Sequence, residues 1–184
     1  QATEILASLM RRLWRPLPEG HTLPSVASWA EGLGRLRATF RGTTGPFPEA
    51  LVARAEQTFD ELLATAGPPL LLHGDLHHLN VLTAEREPWL AIDPKGLAGD
   101  PGYDVAAMLH NPSRTLRATG NLAALLERRI AIMSAITEQP RRRLAMWGFA
   151  LAVLSAWWTY EDHGHVGDEA LYHAELMLPL LQRG

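Results

Sequence analysis

The 184-residue sequence contains no cysteine and only one lysine, Lys95. The lack of cysteine excludes disulfide bonds and thiol catalysis, although it leaves the redox compartment undecided. A formal net charge of −3 argues against nucleic acid as a partner, because nucleic-acid-binding domains carry a clustered basic surface. The most apolar segment, Leu144 to Trp158, is shorter than the roughly 18 to 20 residues that cross a bilayer. These absences predict a domain that binds neither nucleic acid nor membrane.

A dense polar motif, HGDLHHLN, runs from His73 to Asn80 and is followed by the apolar segment WLAI and Asp93. Asn80 lies five positions after Asp75, and Asp93 lies eighteen positions after it. This is the layout of a phosphoryl-transfer catalytic loop and its metal-binding strand. Asp75 would accept the proton of an attacking hydroxyl, while Asn80 and Asp93 would supply the oxygen ligands that Mg²⁺ prefers. The motif therefore predicts a small-molecule kinase that uses ATP and Mg²⁺.

Several of these residues resemble the signature of aminoglycoside phosphotransferases, which are relatives of protein kinases. The resemblance includes the HGDLHHLN motif, IDPK at positions 92–95 and GDPGYDVA at positions 99–106. The last two are most similar to the streptomycin 6-kinase and hydroxyurea-resistance branch. The stretch LWRP at positions 13–16 resembles that branch more loosely.

The resemblance implies a role for each matching residue. Asp75 would be the catalytic aspartate, Asn80 and Asp93 the metal ligands, and Asp104 a structural carboxylate that braces the catalytic loop. It also implies a protein-kinase-like C-terminal lobe that phosphorylates a hydroxyl of an aminoglycoside such as streptomycin, and so confers antibiotic resistance. An enzyme that uses ATP is expected in the cytoplasm.

Two histidines of the motif are candidates for support of the loop or of the phosphate. His73 is expected to hydrogen-bond to backbone inside the loop. His77 stands two positions after Asp75, where protein kinases keep a phosphate-facing lysine. We therefore treat His77 as a candidate contact of the transferred phosphate.

Apolar periodicity and turn residues predict a mainly α fold with a small β-unit (α+β). We expect one lobe, with a helical segment over 1–67, catalytic and metal-binding loops on short strands over 68–110, and a helical substrate-side subdomain over 111–184. The predicted helices cover Glu4 to Trp14, Ser25 to about Phe40, Pro48 to near Gly67, Asn121 to Ile136, Pro140 to about Tyr160, and Asp168 to Leu181. The predicted strands are Leu70 to Leu72, Asn80 to Leu82, and Trp89 to Ile92.

The ATP-binding half of the family precedes the catalytic loop by well over a hundred residues and contains a strand lysine. Here 72 residues precede His73, and Lys95 follows the catalytic motif. We therefore expect that the N-terminal ATP-binding lobe is absent and that the fragment alone has little or no turnover. An apolar face left open by that absence predicts dimerisation.

Acidic residues near the end of the chain are candidates for binding a cationic aminoglycoside, because opposite charge gives affinity and orientation. They cluster around a predicted turn between the last two helices: Glu161, Asp162, Asp168 and Glu169. Trp157 and Trp158 beside this turn are candidates for an apolar or cation–π wall, although tryptophan at helical spacing is more often core.

Three other interpretations stay open. Related kinases with the same loop phosphorylate choline, homoserine or sugars. Alternatively, the spacing of His73, Asp75, His77 and His78 fits a metal-dependent hydrolase, with further ligands from His110, His163, His165 or His173. The third interpretation is that the chain is a non-catalytic lobe that only binds a substrate or a partner.

Overall fold

The computed structural model describes residues 1–111 and 120–182. Most of these residues are helical, and the prediction of a mainly α domain with a small β-unit is confirmed. Residues 112–119, where the predicted substrate-side subdomain begins, lie outside the described ranges, as do residues 183–184.

The α-helices of the described residues are α1 (Ala2–Leu13), α2 (Val26–Ala30), α3 (Gly32–Thr39), α4 (Glu49–Ala64), α5 (Gly102–His110), α6 (Leu122–Thr137), α7 (Arg141–His163) and α8 (Asp168–Met177). Short 3₁₀ helices lie at His78–Asn80 and Leu178–Gln182.

Helix α7 lies at the centre of the packing. Its residues from Leu144 to Leu154 are all buried, so the helix is covered on every side, whereas a surface helix buries only one stripe. Helices α4, α5 and α8 pack against it. The apolar segment is therefore a core helix, as predicted. Across the described residues, no helix combines the length and apolarity that crossing a membrane requires.

Side-chain caps fix two predicted helix starts. The Oγ of Ser25 accepts a hydrogen bond from the Ser28 N–H at 3.0 Å, and the Asn121 side chain accepts one from the Ala124 N–H. Such caps satisfy backbone donors that have no partner inside the helix. The helix predicted to continue to Phe40 is instead two helices, because the helical structure is interrupted at Glu31.

The last helix also differs from the prediction. Gly167, and not Asp168, is its N-terminal cap residue, and the α-helix ends at Met177. The chain continues as a 3₁₀ helix through Leu178–Gln182, since Pro179 has no N–H with which to extend the α-helical hydrogen bonding.

The strands of the described residues form two small sheets. Strand β2 (Leu70–Leu72) lies between β1 (Arg15–Pro16) and β5 (Leu97–Gly99), and both pairings are antiparallel. Strands β3 (Val81–Leu82) and β4 (Leu90–Ala91) form a separate hairpin. The polar motif runs from the end of β2 to the start of β3, and its two ends, His73 and Asn80, both hydrogen-bond with Ile92.

Candidate active site

The polar loop begins where strand β2 ends, and the buried carboxylate of Asp104 on α5 holds this loop in place. The Oδ2 of Asp104 accepts a hydrogen bond from the His73 N–H at 3.1 Å, and its Oδ1 accepts one from the Gly74 N–H at 2.7 Å. The indole N–H of Trp14 donates to Oδ2 at 3.0 Å. Burial raises the pKa of Asp104 above its ordinary value, and the hydrogen bonds from Trp14, Gly74 and His73 offset only part of that rise. Asp104 thus fixes the backbone immediately before Asp75.

Asp75 is held through its own backbone on both sides. Its N–H donates to Nδ1 of His73 at 3.3 Å, and its carbonyl oxygen accepts a hydrogen bond from Nδ2 of Asn80 at 2.9 Å. His73 is buried and its Nε2 lies 2.9 Å from the Ile92 carbonyl oxygen. Because Nδ1 accepts and the carbonyl can only accept, the ring carries its proton on Nε2. The carboxylate of Asp75 stays 32% exposed.

The β3–β4 hairpin brings the predicted metal ligands together. The Ile92 N–H donates to the Asn80 carbonyl oxygen at 3.0 Å, so Asn80 lies opposite the residue that precedes Asp93. Asp93 has a positive φ of 57°, in the left-handed region that few non-glycine residues adopt, and its side chain is 67% exposed. A carboxylate and an amide carbonyl oxygen therefore flank the end of one hairpin.

The single lysine of the chain lies between the two carboxylates. Its Nζ is 3.4 Å from Oδ2 of Asp93 and 4.0 Å from Oδ2 of Asp75. A cationic group thus already occupies the space between Asp75 and Asp93. This arrangement shows that the pair of carboxylates suits a cation, and the all-oxygen donor set fits Mg²⁺.

His77, the candidate contact of the transferred phosphate, occupies an enclosed position beside Asp75. Its Nδ1 accepts a hydrogen bond from the Leu79 N–H at 3.2 Å, and its Nε2 is 3.6 Å from Oδ1 of Asp75. The side chain is only 14% exposed. One ring nitrogen therefore caps the following 3₁₀ helix, and the other faces the carboxylate of Asp75.

A cavity of about 300 Å³ opens at Asp75 and is lined by residues that include Lys95, Tyr103, Trp29 and Trp158. A second cavity of about 460 Å³ lies next to it. The two share three lining residues, His110, Asn111 and Ser155, and are therefore adjacent; together they are called the groove below. Trp158 is thus a wall of the groove, as the sequence suggested, whereas Trp157 is core.

The four predicted acidic residues separate into two pairs. Asp168 and Glu169 line the second cavity. Glu161 instead forms an ion pair with Arg35, at 2.9 Å from its Nε, and neither Glu161 nor Asp162 lines the two cavities. The groove therefore runs from the carboxylate of Asp75 to an acidic end formed by Asp168 and Glu169.

The floor of the groove contains a pair of stacked histidines. The Nδ1 atoms of His110 and His173 are 3.3 Å apart, and Nε2 of His110 lies 2.8 Å from the Gly148 carbonyl oxygen. Burial, reinforced by His173, lowers the pKa of His110 to about 3. His110 is therefore neutral at pH 7.

Two of the histidines considered for a metal-dependent hydrolase, His73 and His110, have other partners. Within residues 1–111 and 120–182, no group of three or more histidine, cysteine, aspartate or glutamate residues is placed to hold a metal ion. Both ring nitrogens of His73 are engaged with backbone, and those of His110 with the Gly148 carbonyl and His173. A kinase site needs no such cluster, because Mg²⁺ takes one or two carboxylates together with substrate phosphates and water.

Sequence reasoning missed two features of this site. The first is Trp14, whose indole reaches Asp104 across 90 positions of sequence. Its resemblance to the LWRP stretch of the streptomycin 6-kinase branch was the only signal. The second is the approach of Lys95 to both carboxylates, which depends on the left-handed turn at Asp93 and Gly96.

Comparisons with known proteins show which family the chain belongs to. Residues 1–163 match the family described as aminoglycoside/hydroxyurea antibiotic resistance kinase. The chain belongs to this family. The resemblance proposed from the sequence motifs is therefore confirmed.

Individual relatives of this kinase family are similar over most of the chain. Streptomycin 6-kinase of Streptomyces griseus is 32% identical over 88% of the chain, and that of Streptomyces glaucescens is 34% identical over 100%. Streptomycin 3''-kinase of Klebsiella pneumoniae is 38% identical over 88%. The chain spans only 52%, 58% and 59% of the length of these three relatives, in that order.

One solved structure shares the fold. Aminoglycoside phosphotransferase APH(4)-Ia, crystallised as a thermostable mutant with ADP and hygromycin B, superposes with a TM-score of 0.56 at 16% identity. The match covers 100% of this chain and 65% of that one. At this identity the comparison establishes the fold alone.

Proposed function

We propose that the chain is the catalytic lobe of a kinase that transfers the γ-phosphate of ATP to a hydroxyl of a cationic aminoglycoside such as streptomycin. One observation carries the proposal. The carboxylate of Asp75, fixed through its backbone on both sides, opens into a groove whose other end is acidic. Membership of an antibiotic resistance kinase family supports the same chemistry.

In this mechanism Asp75 accepts the hydrogen bond, and then the proton, of the attacking hydroxyl. Phosphoryl transfer depends mainly on positioning and on stabilising developing charge. The hydrogen bonds from His73 and Gly74 to Asp104 set the position of Asp75 before the substrate binds. His73 supports the loop through the contacts of both its ring nitrogens with backbone.

Asn80 and Asp93 would hold the Mg²⁺ of this reaction, through one amide oxygen and one carboxylate. When bound, the ion supplies positive charge against the phosphates of the nucleotide. The chain contributes the hairpin that keeps the two ligands adjacent. The hydrogen bond from Nδ2 of Asn80 to Asp75 leaves Oδ1 as the amide atom suited to coordinate a cation.

The acidic end of the groove accounts for a cationic substrate. Asp168 and Glu169 begin α8, and the groove connects them with Asp75 through His110, Asn111 and Ser155. Carboxylates in such a position bind amino or guanidino groups by charge-assisted hydrogen bonds. A substrate anchored there would present a hydroxyl to Asp75.

We further propose that a nucleotide-binding half outside these 184 residues completes the site. The coverage of 52% to 59% of three relatives supports this division. So do the apolar side chains exposed on and beside the β3–β4 hairpin, namely Leu79, Leu82, Trp89 and Ile92. Those side chains would contact the second half in the whole protein and favour dimerisation of the isolated lobe.

A substrate panel tests the proposal. The full-length protein that carries this chain would be incubated with ATP and Mg²⁺, and with streptomycin, choline, homoserine or a hexose. We expect phosphorylation of streptomycin, with a raised KM in the Asp168→Asn and Glu169→Gln variants. The Asp60→Asn variant, which changes an exposed carboxylate on α4, serves as the matched control.

Each other outcome has a defined meaning. Turnover of choline alone would keep the kinase and change the cationic substrate. Turnover of a neutral hexose alone would contradict the role given to the acidic end of the groove. Absence of phosphorylation of every compound, in a folded protein that binds ATP, would refute the proposed substrate class.

A further inference from the structure

Lys95 has no role in the mechanism described above, yet its ammonium group lies at the centre of the site. Its Nζ is within 4.0 Å of carboxylate oxygens from both Asp75 and Asp93. The side chain is 46% exposed and lines the cavity that opens at Asp75. It is also the single lysine of the chain, so no other side chain carries a compact ammonium charge.

The backbone under Lys95 is fixed more firmly than its ammonium group. The Lys95 N–H donates to the His73 carbonyl oxygen at 2.8 Å, and the Gly96 N–H donates to the same oxygen at 3.2 Å. The stem of Lys95 packs closely on the loop, because a Cβ added at Gly74 would lie 3.2 Å from the Lys95 Cβ. The long flexible stem beyond that contact lets the ammonium move while its base stays in place.

The charges around Lys95 determine where its ammonium group is most stable. Two carboxylates and one ammonium leave a net negative charge at this point, which stabilises the ammonium between them. A divalent cation held at Asp93 would repel the same ammonium. The transferring phosphoryl group is negative and must approach Asp75 for reaction, so it would be the favourable partner for the ammonium.

We propose that Lys95 is a catalytic residue that balances Asp75 and Asp93 in the ion-free site and contacts the transferring phosphoryl group during the reaction. This proposal rests on the proposed kinase function. The hydroxyl oxygen forms a bond to the γ-phosphorus, the bond from that phosphorus to the bridging oxygen of ADP breaks, and its electron pair leaves with ADP. The hydroxyl proton passes to Asp75. Lys95 supplies charge only and exchanges no atom.

The structure favours Lys95 over His77 for this role. His77 has one ring nitrogen engaged by the Leu79 N–H, and it does not line the cavity at Asp75. Lys95 lines that cavity, and its ammonium lies within 4.0 Å of Asp75. The lysine that protein kinases place within the catalytic loop is thus replaced by one from the loop that follows β4.

Kinetics of the full-length protein test the catalytic part of the proposal. We expect Lys95→Met to lower kcat by about 100-fold with little change in the KM for streptomycin, as for loss of one charge-stabilising donor in a transition state. Lys95→Arg, which keeps the charge, should recover most of that loss. The control is Arg11→Met, which removes a surface cation that pairs with Glu138 away from the site.

Binding of Mn²⁺ without nucleotide gives a readout that does not depend on turnover. Measured by electron paramagnetic resonance on the 184-residue chain, Lys95→Met should bind Mn²⁺ about fivefold or more tightly than the unchanged chain, because a competing positive charge near 4 Å is gone. Arg11→Met should leave the Kd unchanged.

The outcomes separate this proposal from the proposed function. A wild-type protein without any kinase activity would refute the proposed function, whereas the Mn²⁺ measurement would still report on Lys95. An active wild type whose Lys95→Met variant has the same kcat would overturn the catalytic role of Lys95 and leave the kinase intact. An unchanged Mn²⁺ affinity in Lys95→Met would overturn the claim that Lys95 competes with a metal ion for the carboxylates of Asp75 and Asp93.

Discussion

Replacing Asp104 with asparagine should destabilise the domain, because the buried carboxylate accepts three hydrogen bonds. Its Oδ2 accepts from Trp14 and His73, and its Oδ1 accepts from Gly74. All three partner groups are N–H donors, so we infer that the carboxylate is ionised at pH 7. An asparagine offers one acceptor oxygen and must direct its NH₂ group at one or two N–H donors.

The magnitude follows from those contacts. A hydrogen bond to a charged group contributes about 1.5 to 3 kcal/mol, and leaving a buried donor unsatisfied costs about 1 to 3 kcal/mol. Part of the loss is offset, since the neutral amide would no longer bury a charge, and burial is the main influence that raises the pKa of Asp104. The net expectation for Asp104→Asn is a loss of about 3 kcal/mol in the free energy of unfolding.

Urea denaturation of the 184-residue chain at pH 7 measures this loss. Circular dichroism would follow the helical signal, and Asp60→Asn would serve as an exposed-carboxylate control. A change below about 0.5 kcal/mol would refute the reasoning, because surface substitutions away from such features fall in that range. So small a change would mean that Asp104 is protonated in the folded protein, since asparagine resembles the protonated acid.

Three further results are expected. Trp14→Phe removes one donor to Asp104 and should lower the free energy of unfolding by about 1 kcal/mol in urea denaturation, while an unchanged value would show that the indole N–H contributes nothing. Gly74→Ala places a Cβ 3.0 Å from Leu97 at a φ of 84°, so it should lower the melting temperature, and equal thermal stability would contradict this close packing. Burial lowers the pKa of His110 to about 3. The stability that the buried neutral imidazole contributes is therefore fully present above the unfolded pKa of about 6.5, and it is lost as pH falls below that value. About 2 kcal/mol should disappear between pH 7 and pH 5, and a His110→Gln variant that shows the same slope in urea titrations would contradict that assignment.

Local sequence signals predicted most of the helices and drew attention to the polar loop around Asp75. Ser25 and Asn121 cap helices where their short polar side chains suggested, and β2 coincides with the predicted strand Leu70 to Leu72. The motif around Asp75 was visible because its residues are close in sequence. These features depend on interactions within a few positions of the chain.

The remaining features depend on contacts between distant segments. Strands β1 and β5 are only two and three residues long, and their pairing joins Arg15 with Leu71 and Gly99 with Leu70. No periodicity is readable in so few residues. The groove between Asp75 and Asp168 likewise arises from how α5, α7 and α8 pack, which no local pattern encodes.

The role of Asp75 is the central claim, and its substitution in the full-length protein tests it most directly. The measurement is the kcat for ATP-dependent phosphorylation of streptomycin by the Asp75→Asn variant beside the unchanged protein. A general base contributes typically 10²- to 10⁴-fold, so we expect kcat to fall by about 1,000-fold while the KM for streptomycin changes little. Asp75→Asn with a kcat within about threefold of the unchanged protein, a loss far smaller than that range, would contradict the account.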